Sequence, residues 1–404
     1  MSTSELYHEF GIKGYDYVNT LRPECKTVFT IKPHKQEVRC SVCQSRNVGS
    51  RGHVWREWRT VPIGKRPVFV MMDIPRVGCK DCGAIRQIHV SFAVGQRSYT
   101  RSFERYVLDL SRHMTIQDVA RHLNVGWDIV KDIQKRALTQ QSHKIRLRHL
   151  RVIAIDEICV GHGQKYLTVV LDLRSGRVVF VGEGKGMAAL EPFWKRLRGA
   201  HPKIKAVAMD LSAAFRAAVE KHLPKAVIVY DHFHVVKLFN EKLSDLRRAM
   251  AREATEKMEK KVIKGTRWLL LKNPEHLDEG RNERQRLEDV LAMNRPLAVA
   301  YYMKEDLRQI WDQPDKKTAR RLLDDWIRRA EASGILILKK FAHTLATHRN
   351  GILAYYDYPI STGPLEGTNN KIRVMQRQAY GFRDTEFLKL KILSIHRTSY
   401  KLVG

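Results

Sequence analysis

RVIAIDEICV, residues 151–160, is an apolar run of strand type that carries two acids, Asp156 and Glu157. Residues 165–184 have the pattern of two strands joined by a turn at residues 174–177. An amphipathic helix follows at residues 187–200. Two further apolar strands end at Asp210 and Asp231, and each leads directly into a helix. The order is therefore three strands with a hairpin, then helix, strand, helix, strand and helix.

This order predicts a mixed α/β sheet of ribonuclease-H type rather than a doubly wound nucleotide-binding sheet. Residues 240–345, in contrast, are almost entirely helical in pattern, heavily charged and poor in helix breakers. We therefore predict a multidomain α/β protein whose mixed-sheet domain is interrupted by an all-α insertion.

Asp156 and Asp210 are each expected at the carboxyl end of an apolar strand, at positions that are not obvious turns. Two carboxylates on neighbouring strands repel each other unless a cation screens them or one takes a proton. Mg²⁺ prefers carboxylate oxygens together with substrate phosphate oxygens, and a pair of such ions supports phosphoryl transfer. Asp210 taken alone also fits the N-cap of the helix that follows it. Three acids together favour a metal site.

The third acid is Glu366, in the stretch STGPLEGTNNKIR at residues 361–373. The chain breakers before it place Glu366 in the first turn of a late helix, where an acid also complements the helix dipole. Dipole complementarity does not explain the residues behind it. Asn369, Asn370, Lys371 and Arg373 are predicted to contact DNA phosphates, and a solvated helix face is the alternative.

The charge of the chain indicates a polyanionic partner. The 404 residues carry 73 Lys and Arg against 43 Asp and Glu, a formal net charge of +30. The excess is spread over the whole chain rather than confined to a tail, so nucleic acid is the favoured partner. No stretch approaches the length of a transmembrane span, and the N-terminus lacks the pattern of a secretory signal. We expect a cytoplasmic, nucleoid-associated protein without membrane contact.

Four of the six cysteines form two pairs with the spacing of a zinc site, Cys40 with Cys43 and Cys79 with Cys82. Thiolates at positions i and i+3 of a tight turn supply two corners of a tetrahedron, and in a cytosolic chain such pairs indicate Zn²⁺ rather than disulfides. Two unrelated redox or core pairs are the alternative. The sequences WREWRTVPIG and RPVFVMMDIPRVGC between the pairs both have strand patterns. Cys25 and Cys159 are expected to be buried thiols.

Residues 115–138 have the pattern of a helix-turn-helix. Apolar positions mark one helix up to Leu123, residues 124–126 form a turn, and a second helix follows. An ordinary helical hairpin is the alternative. In the DNA-binding interpretation, the second helix carries its polar and aromatic residues outward to the DNA: Trp127, Lys131, Gln134 and Lys135.

These patterns divide the chain into six segments. We expect an N-terminal segment with only weak pattern at residues 1–35, a zinc-binding domain at 36–95, and a helix-turn-helix domain with a basic linker at 96–150. The catalytic domain would occupy 151–239 and 346–404, on either side of the helical insertion at 240–345.

With these motifs in view, the chain resembles the DDE transposases of the ISL3 class of bacterial insertion sequences over nearly its whole length. The motifs that carry the resemblance are the two cysteine pairs, the helix-turn-helix, AIDE at 154–157, MDLSAAF at 209–215, YDHFHVVK at 230–237, GTRWLLLKN at 265–273 and GPLEGTNNKIRVMQRQAYGFRD at 363–384.

The resemblance implies that Asp156, Asp210 and Glu366 form the catalytic, metal-binding triad. It also implies an accessory motif of Asp231 and His234. The chemistry of its imidazole would let His234 donate a hydrogen bond to the scissile phosphate or orient a water molecule. The alternative is that His234 is a core histidine beside Asp231. The resemblance further implies Trp268 as the tryptophan of the insertion, which would stack on an unpaired base. A core aromatic among the neighbouring leucines is the alternative.

The function expected from these features is that of a DNA transposase. It would bind the terminal inverted repeats of its element, cut at the ends with two Mg²⁺ or Mn²⁺ ions, and join the freed 3′-hydroxyl to target DNA. We also expect the protein to hold a structural Zn²⁺. On double-stranded DNA it would form a homodimer or a larger assembly. A structure-specific nuclease and a non-catalytic DNA-binding regulator are the alternatives.

Overall fold

The computed structural model describes residues 3–161, 165–254, 263 and 266–396. The chain divides into two compact units, the first up to His143 and the second from Lys144. The elements of the first unit are α1 (Thr3–Phe10), β1 (Tyr15–Leu21), β2 (Thr27–Pro33), β3 (Val48–Ile63), β4 (Arg66–Cys79), β5 (Ile85–Gln87), α2 (Arg101–Leu110), α3 (Ile116–Leu123) and α4 (Trp127–Ser142).

The first unit is built on a five-stranded sheet with the order β1-β2-β4-β3, in which β5 also pairs with β4. The weakly patterned N-terminal segment belongs to this sheet. Its strand β2 pairs in parallel with β4, from Thr27 opposite Val68 to Ile31 opposite Met72. The partner strand lies about 40 residues further along the chain, so the local sequence of β2 does not reveal the pairing. The long strands β3 and β4 confirm the strand patterns found between the cysteine pairs.

The helices α2, α3 and α4 pack around their own small core. Thr115 caps α3 by accepting the N–H of Asp118 at 3.2 Å. The helix ends at Asn124, which is left-handed with φ of 49°, and the N–H of Val125 bonds the carbonyl oxygen of Ala120 at 3.0 Å. This tight turn lets α4 start three residues later, as the helix-turn-helix pattern predicts.

The second unit contains the predicted mixed sheet and its helices. Its elements are β6 (Val152–Gly161), β7 (Lys165–Asp172), β8 (Arg177–Glu183), α5 (Met187–Ala200), β9 (Ala206–Met209), α6 (Ala213–His222), β10 (Val227–Tyr230), α7 (His232–Glu253), α8 (Arg267–Leu271), α9 (Glu283–Met293), α10 (Arg295–Arg308), α11 (Lys316–Ala332), α12 (Leu336–Leu353), α13 (Gly363–Gln378) and α14 (Thr385–Ser394).

The sheet has the order β10-β9-β6-β7-β8. The hairpin strands β6, β7 and β8 pair antiparallel, while β6, β9 and β10 pair in parallel. Side chains alternate between the two faces of each strand. A separate hydrophobic core covers each face of the sheet. Ile153, Ile155 and Val207 face the core shared with α5, α6 and α7. Ala154 and Ala208 face the opposite core, which is formed with α13 and α14.

The helical insertion has different ends from those expected. Helix α7 continues unbroken through residue 240 to Glu253, and α12 continues through residue 345 to Leu353. Periodicity does not mark where a continuous helix leaves one layer for another. The C-terminal end of α12 lies so close to β10 that a Cβ on Gly351 would meet the ring of Tyr230 at 2.5 Å. Glycine therefore permits this approach. The linker expected up to residue 150 is partly helix, since α4 runs to Ser142, and Leu147 and Leu150 are buried in the second unit.

Among the described residues, no helix is long and apolar enough to cross a membrane.

Candidate active site and nucleic-acid interface

Sheet register aligns three aspartates. On β6 and β9, Val152 lies opposite Ala206 and Ala154 opposite Ala208, so Asp156 and Asp210 stand level two residues further on. On β9 and β10, Tyr230 lies opposite Met209, which brings Asp231 level with Asp210. Residues that pair across a sheet point to the same face. All three aspartates therefore lie on the face that α13 covers.

Asp156 is not at the end of its strand, contrary to the expectation. The strand β6 continues to Gly161 as a hairpin with β7, where Asp156 pairs with Val169. The parallel partner β9 ends at Met209, so Asp156 lies where β6 loses one neighbour and keeps the other. The carboxylate is thus open on one side while the backbone that carries it stays paired.

The Asp156 carboxylate is partly buried and hydrogen-bonded. It accepts the N–H of Glu157 at 2.7 Å and the side-chain amide of Asn369 at 2.8 Å. Burial raises the pKa of Asp156 above its usual range, although the Glu157 N–H and the nearby charge of His234 act against burial. The negative charge of Asp210 raises it further. Burial and a like-charged neighbour are the conditions that a bound cation relieves.

Asp210 does not cap the helix that follows it. It accepts the N–H of Ser212 at 3.2 Å, and Ser212 is the residue whose side chain caps α6, by accepting from Phe215. The alternative interpretation of Asp210 as an N-cap is therefore wrong. The second acid of β6, Glu157, also lies near Asp210. Burial raises its pKa and the charge of Asp210 adds to the effect.

Glu366 lies in the first turn of α13, as expected. Leu365 and Ile372 of the same helix are buried against the sheet, while Glu366 is exposed. Within the described part of the chain, the four zinc-type cysteines are the one group of three or more His, Cys, Asp or Glu whose ligand atoms lie within 4.8 Å of one another.

Asp231 ties the start of α13 to the sheet. Its carboxylate accepts the N–H of Phe233 at 2.9 Å, capping α7, and the N–H of Thr362 at 2.9 Å. The Thr362 hydroxyl also donates to it, and His234 Nδ1 lies 3.6 Å away. Burial alone would raise the pKa of Asp231, but His234, Thr362 and the Phe233 N–H together hold it well below the usual range. Thr362 lies four residues before Glu366, so this link fixes where α13 begins.

The imidazole of His234 contacts Asp231 and interacts electrostatically with the other two aspartates. Its contact with Asp231 raises the pKa of the imidazole despite burial, and the charges of Asp156 and Asp210 add to that effect. Its Nδ1 also lies 3.4 Å from the Thr362 hydroxyl. The histidine is half-buried rather than a core residue. It faces the Asp231 carboxylate on one side and influences the aspartate site electrostatically.

Asn369 does not lie on the surface as a phosphate contact. Its side chain is 5 % exposed and donates to Asp156. Its amide oxygen is buried and has no hydrogen-bond partner among the described residues. Position 369 falls on the sheet-facing side of α13 with Leu365 and Ile372, which sequence spacing cannot show without knowing which side is buried. Asn370, Lys371 and Arg373 are exposed, as expected.

Sequence reasoning missed two residues of the site, Thr362 and the inward role of Asn369. No sequence signal gave the inward role of Asn369, because helical spacing does not show which side of α13 is buried. No local signal identified Thr362, because its partner Asp231 lies 131 residues earlier.

The four zinc-type cysteines come together at the end of the first sheet. Cys40 and Cys82 sulfurs lie 3.6 Å apart and those of Cys43 and Cys79 3.5 Å apart. Four sulfurs arranged tetrahedrally about 2.3 Å from one ion would be about 3.8 Å apart. Backbone N–H groups of Cys43 and Val42 lower the pKa of Cys40 to about 7. These distances and the donor set fit a zinc ion.

Two matching turns hold the cysteine pairs. After each pair the chain turns through a left-handed residue, Gln44 with φ of 62° and Gly83 with φ of 71°. Gln44 donates its N–H to the Cys40 carbonyl at 3.0 Å, and Gly83 bonds the Cys79 carbonyl in the same way at 3.1 Å. The alternative of two unrelated core pairs does not account for the four sulfurs meeting. Cys25 and Cys159, expected to be buried, are exposed.

Of the four residues of α4 that were expected to contact DNA, three are at least partly exposed. Trp127 is 46 % exposed, and the Lys131 ammonium lies 5.2 Å from the centre of its ring. Lys131 and Lys135 are partly exposed. Gln134 is 3 % exposed and donates to the Ser111 hydroxyl at 2.8 Å. The expectation for Gln134 is wrong, because its helix face packs against α2.

Trp268 projects from the surface of the insertion. It is 67 % exposed, and the guanidinium of Arg267 lies 4.8 Å from the centre of its ring. Leu269 and Leu270 turn inward from the same short helix. The interpretation of Trp268 as a core aromatic is therefore wrong.

Three models of known protein families match successive parts of the chain. The ISL3 family model described as a transposase matches residues 153–392. A model of the helix-turn-helix domain of transposase family ISL3 matches residues 88–138. A model of the zinc-finger of transposases IS204, IS1001, IS1096 and IS1165 matches residues 36–82. The chain thus combines a zinc ribbon, a DNA-binding helix-turn-helix and a DDE transposase domain.

Two relatives extend this match over most of the chain. The transposase for insertion sequence element IS1001 of Bordetella parapertussis is 32% identical over 367 residues, which cover 90% of this chain and 89% of the relative. The transposase for insertion sequence element IS1557 of Mycobacterium tuberculosis is 29% identical over 389 residues, with 90% and 87% covered. The chain belongs to the ISL3 family of transposases.

Proposed function

We propose that the chain binds the terminal inverted repeats of its insertion sequence, cleaves DNA at the ends and transfers the freed 3′-hydroxyl to target DNA. The observation that carries the proposal is the sheet register. It brings Asp156 and Asp210 level on one face, and the helix that bears Glu366 packs over that face. A site for phosphoryl transfer needs acids converging from separate elements in this way.

The divalent ions of this proposal, Mg²⁺ or Mn²⁺, would be held by Asp156, Asp210 and Glu366. The fit rests on the partly buried Asp156, whose pKa is raised by burial and by the charge of Asp210. Two such ions would activate the attacking oxygen and stabilise the leaving oxygen of each in-line displacement. The exposed Glu366 side chain, one turn into α13, would complete the ligand set from the solvent side.

Neighbouring side chains would orient the site. Asn369 donates to one oxygen of Asp156 and thereby directs the other lone pairs of the carboxylate. His234, whose pKa is raised by its contact with Asp231, would attract the scissile phosphate toward the aspartates when it is protonated. Asp231 would act through position only, since its oxygens are occupied by Phe233 and Thr362.

The DNA contacts would be divided between the units. Helix α4 would enter the major groove with Trp127, Lys131 and Lys135, in the manner of a recognition helix. Trp268 would stack on an unpaired base near the cut end. Asn370, Lys371 and Arg373 would contact phosphates next to the acids. Because two element ends must be joined to one target, we propose a homodimer or larger assembly on DNA.

The test uses the full-length protein with labelled duplexes that carry an element end, Mg²⁺ and a supercoiled plasmid target. We expect cleavage at the end and a joined product, both lost in Asp210→Ala and Glu366→Ala, with end binding kept. Binding without cleavage in the wild type would indicate a DNA-binding regulator. Cleavage without joining would indicate a nuclease. Cleavage that survives either substitution would refute the site.

A further inference from the structure

The C-terminal end of α13 presents a tyrosine that touches almost nothing. Tyr380 is 98 % exposed. Its backbone is left-handed, with φ of 51°, and Gly381 follows with φ of 94°. The proposed function assigns nothing to this residue, although it lies on the helix that begins beside the acids.

The conformation of Tyr380 is one that glycine normally adopts. The N–H of Gly381 bonds the carbonyl oxygen of Gln376 at 2.8 Å, and the N–H of Tyr380 bonds that of Arg377 at 3.1 Å. This is the Schellman pattern of helix termination, in which the residue at the position of Tyr380 is usually glycine. A side chain in this conformation brings its Cβ close to the backbone and destabilises the turn. Glycine at position 380 would therefore make the folded state more stable than tyrosine does.

The turn that carries Tyr380 is anchored on both sides. The Gln376 side chain donates to the carbonyl oxygen of Val160 on β6 at 2.9 Å. Phe382 packs at the edge of the core under α13, with its ring centre 6.0 Å from that of Phe387. The exposed ring is consequently held at a fixed place rather than on a loose loop.

An exposed, basic stripe leads from the acids to this ring. Glu366, Asn370, Arg373 and Arg377 follow one another at spacings of four, three and four, so they share one line along α13, and all four are exposed. Tyr380 lies three residues beyond. Residues 371–383 contain four Lys or Arg and no Asp or Glu. At 1.5 Å per residue the stripe is about 20 Å long. This equals about six base pairs of duplex at 3.4 Å each.

We propose that Tyr380 is a DNA contact, and that the duplex of the element's own end lies along this stripe with the tyrosine ring packed against it about six base pairs from the scissile phosphate. The positive charge of the stripe complements the DNA backbone. We assign the stripe to the duplex of the element's end rather than to target DNA. Cleavage of the end uses the acids first, before any target DNA is needed. The proposal rests on the proposed function for the position of the scissile phosphate.

The experiment compares three variants of the full-length protein with the wild type. Tyr380→Gly removes the ring and suits the backbone, Tyr380→Phe keeps the ring, and Tyr302→Ala removes another exposed tyrosine, 60 % exposed, from the helical insertion. Affinity for a labelled end duplex is measured without divalent metal, so the result does not depend on catalysis. Thermal unfolding is recorded for each variant, and cleavage and joining are then measured with Mg²⁺.

We expect Tyr380→Gly to bind the end about tenfold more weakly, which corresponds to about 1.4 kcal/mol of lost contact, while its Tm stays unchanged or rises by about 2 °C. Tyr380→Phe and Tyr302→Ala should bind like the wild type. Three results would overturn the proposal. They are wild-type end binding by Tyr380→Gly, equal weakening by Tyr302→Ala, and a loss confined to joining, which would assign the ring to target DNA. A wild-type protein that neither cuts nor joins would refute the proposed function, while the binding comparison would still decide for or against the contact.

Discussion

Replacing Asp231 by asparagine should destabilise the second unit, whereas the same replacement at Asp210 should not. Asparagine is as good an N-cap as aspartate, so the bond to the Phe233 N–H of α7 is kept in Asp231→Asn. The second carboxylate oxygen becomes an NH₂ group, which faces the N–H and hydroxyl of Thr362. The buried Thr362 N–H loses its acceptor, and His234 loses its counter-charge.

The magnitude follows from these losses. A buried donor left without an acceptor costs about 1–3 kcal/mol, and the bonds lost here are to a charged group that is 3 % exposed. We expect the free energy of unfolding to fall by about 3 kcal/mol. For a unit of this size that corresponds to a Tm lower by about 6–12 °C. In Asp210→Asn the Ser212 N–H keeps its acceptor, and the charge that raises the pKa of Asp156 disappears. Its Tm should stay unchanged or rise.

Thermal unfolding of both variants in metal-free buffer, followed by circular dichroism, checks the contrast. Because the folded pKa of Asp231 lies below that of the unfolded chain, near 3.9, its stabilisation is present above about pH 4 and is lost as the pH falls through the folded pKa. The deficit of Asp231→Asn should therefore shrink below about pH 4. Equal Tm shifts in the two variants, or a deficit that does not depend on pH in this range, would refute the reasoning.

Four further outcomes are expected. Glu366→Ala should slow single-turnover end cleavage at least about 1,000-fold with unchanged end affinity, because metal ions contribute several kcal/mol; weaker binding instead would point to a folding defect. Cys43→Ser should lower the zinc content measured by a colorimetric chelator and destabilise the first unit, and full zinc retention would contradict the four-ligand site. Lys131→Ala should reduce the slope of log affinity against log salt by about 1; an unchanged slope removes it from the DNA contacts. Asn369→Asp should raise the pKa of Asp156 by placing a like charge beside it, so cleavage should rise at a higher pH than in the wild type, and a profile that does not move would argue against their contact.

The mixed sheet was predictable because its signals are local. Each strand has its own apolar run and each helix its own periodicity, and the order of elements then leaves few topologies. The aspartates were likewise visible as acids placed beside apolar strands. The cysteine cluster followed from spacing alone, since each pair is closed by its own tight turn.

Pairings between distant segments were not predictable. The strand β2 is ordered by β4, and Thr362 by Asp231, so neither shows in its own neighbourhood. Face assignments failed for a related reason. Gln134 and Asn369 are polar residues that pack inward against partners elsewhere in the chain. A single sequence gives the period of a helix but not the direction of its buried side.

The link between Asp231 and Thr362 makes the helical insertion a loop closed at its base. The chain leaves the sheet at α7 and returns at α13 through one carboxylate, which fixes where α13 begins. Lengthening a closed loop costs little, about 0.6 kcal/mol for each doubling. Segments can therefore be added to the outer turns of this excursion while the acids keep their places. The insertion helices that share the core of the sheet, through Trp326 and Phe341 for example, are the part that such additions must leave intact.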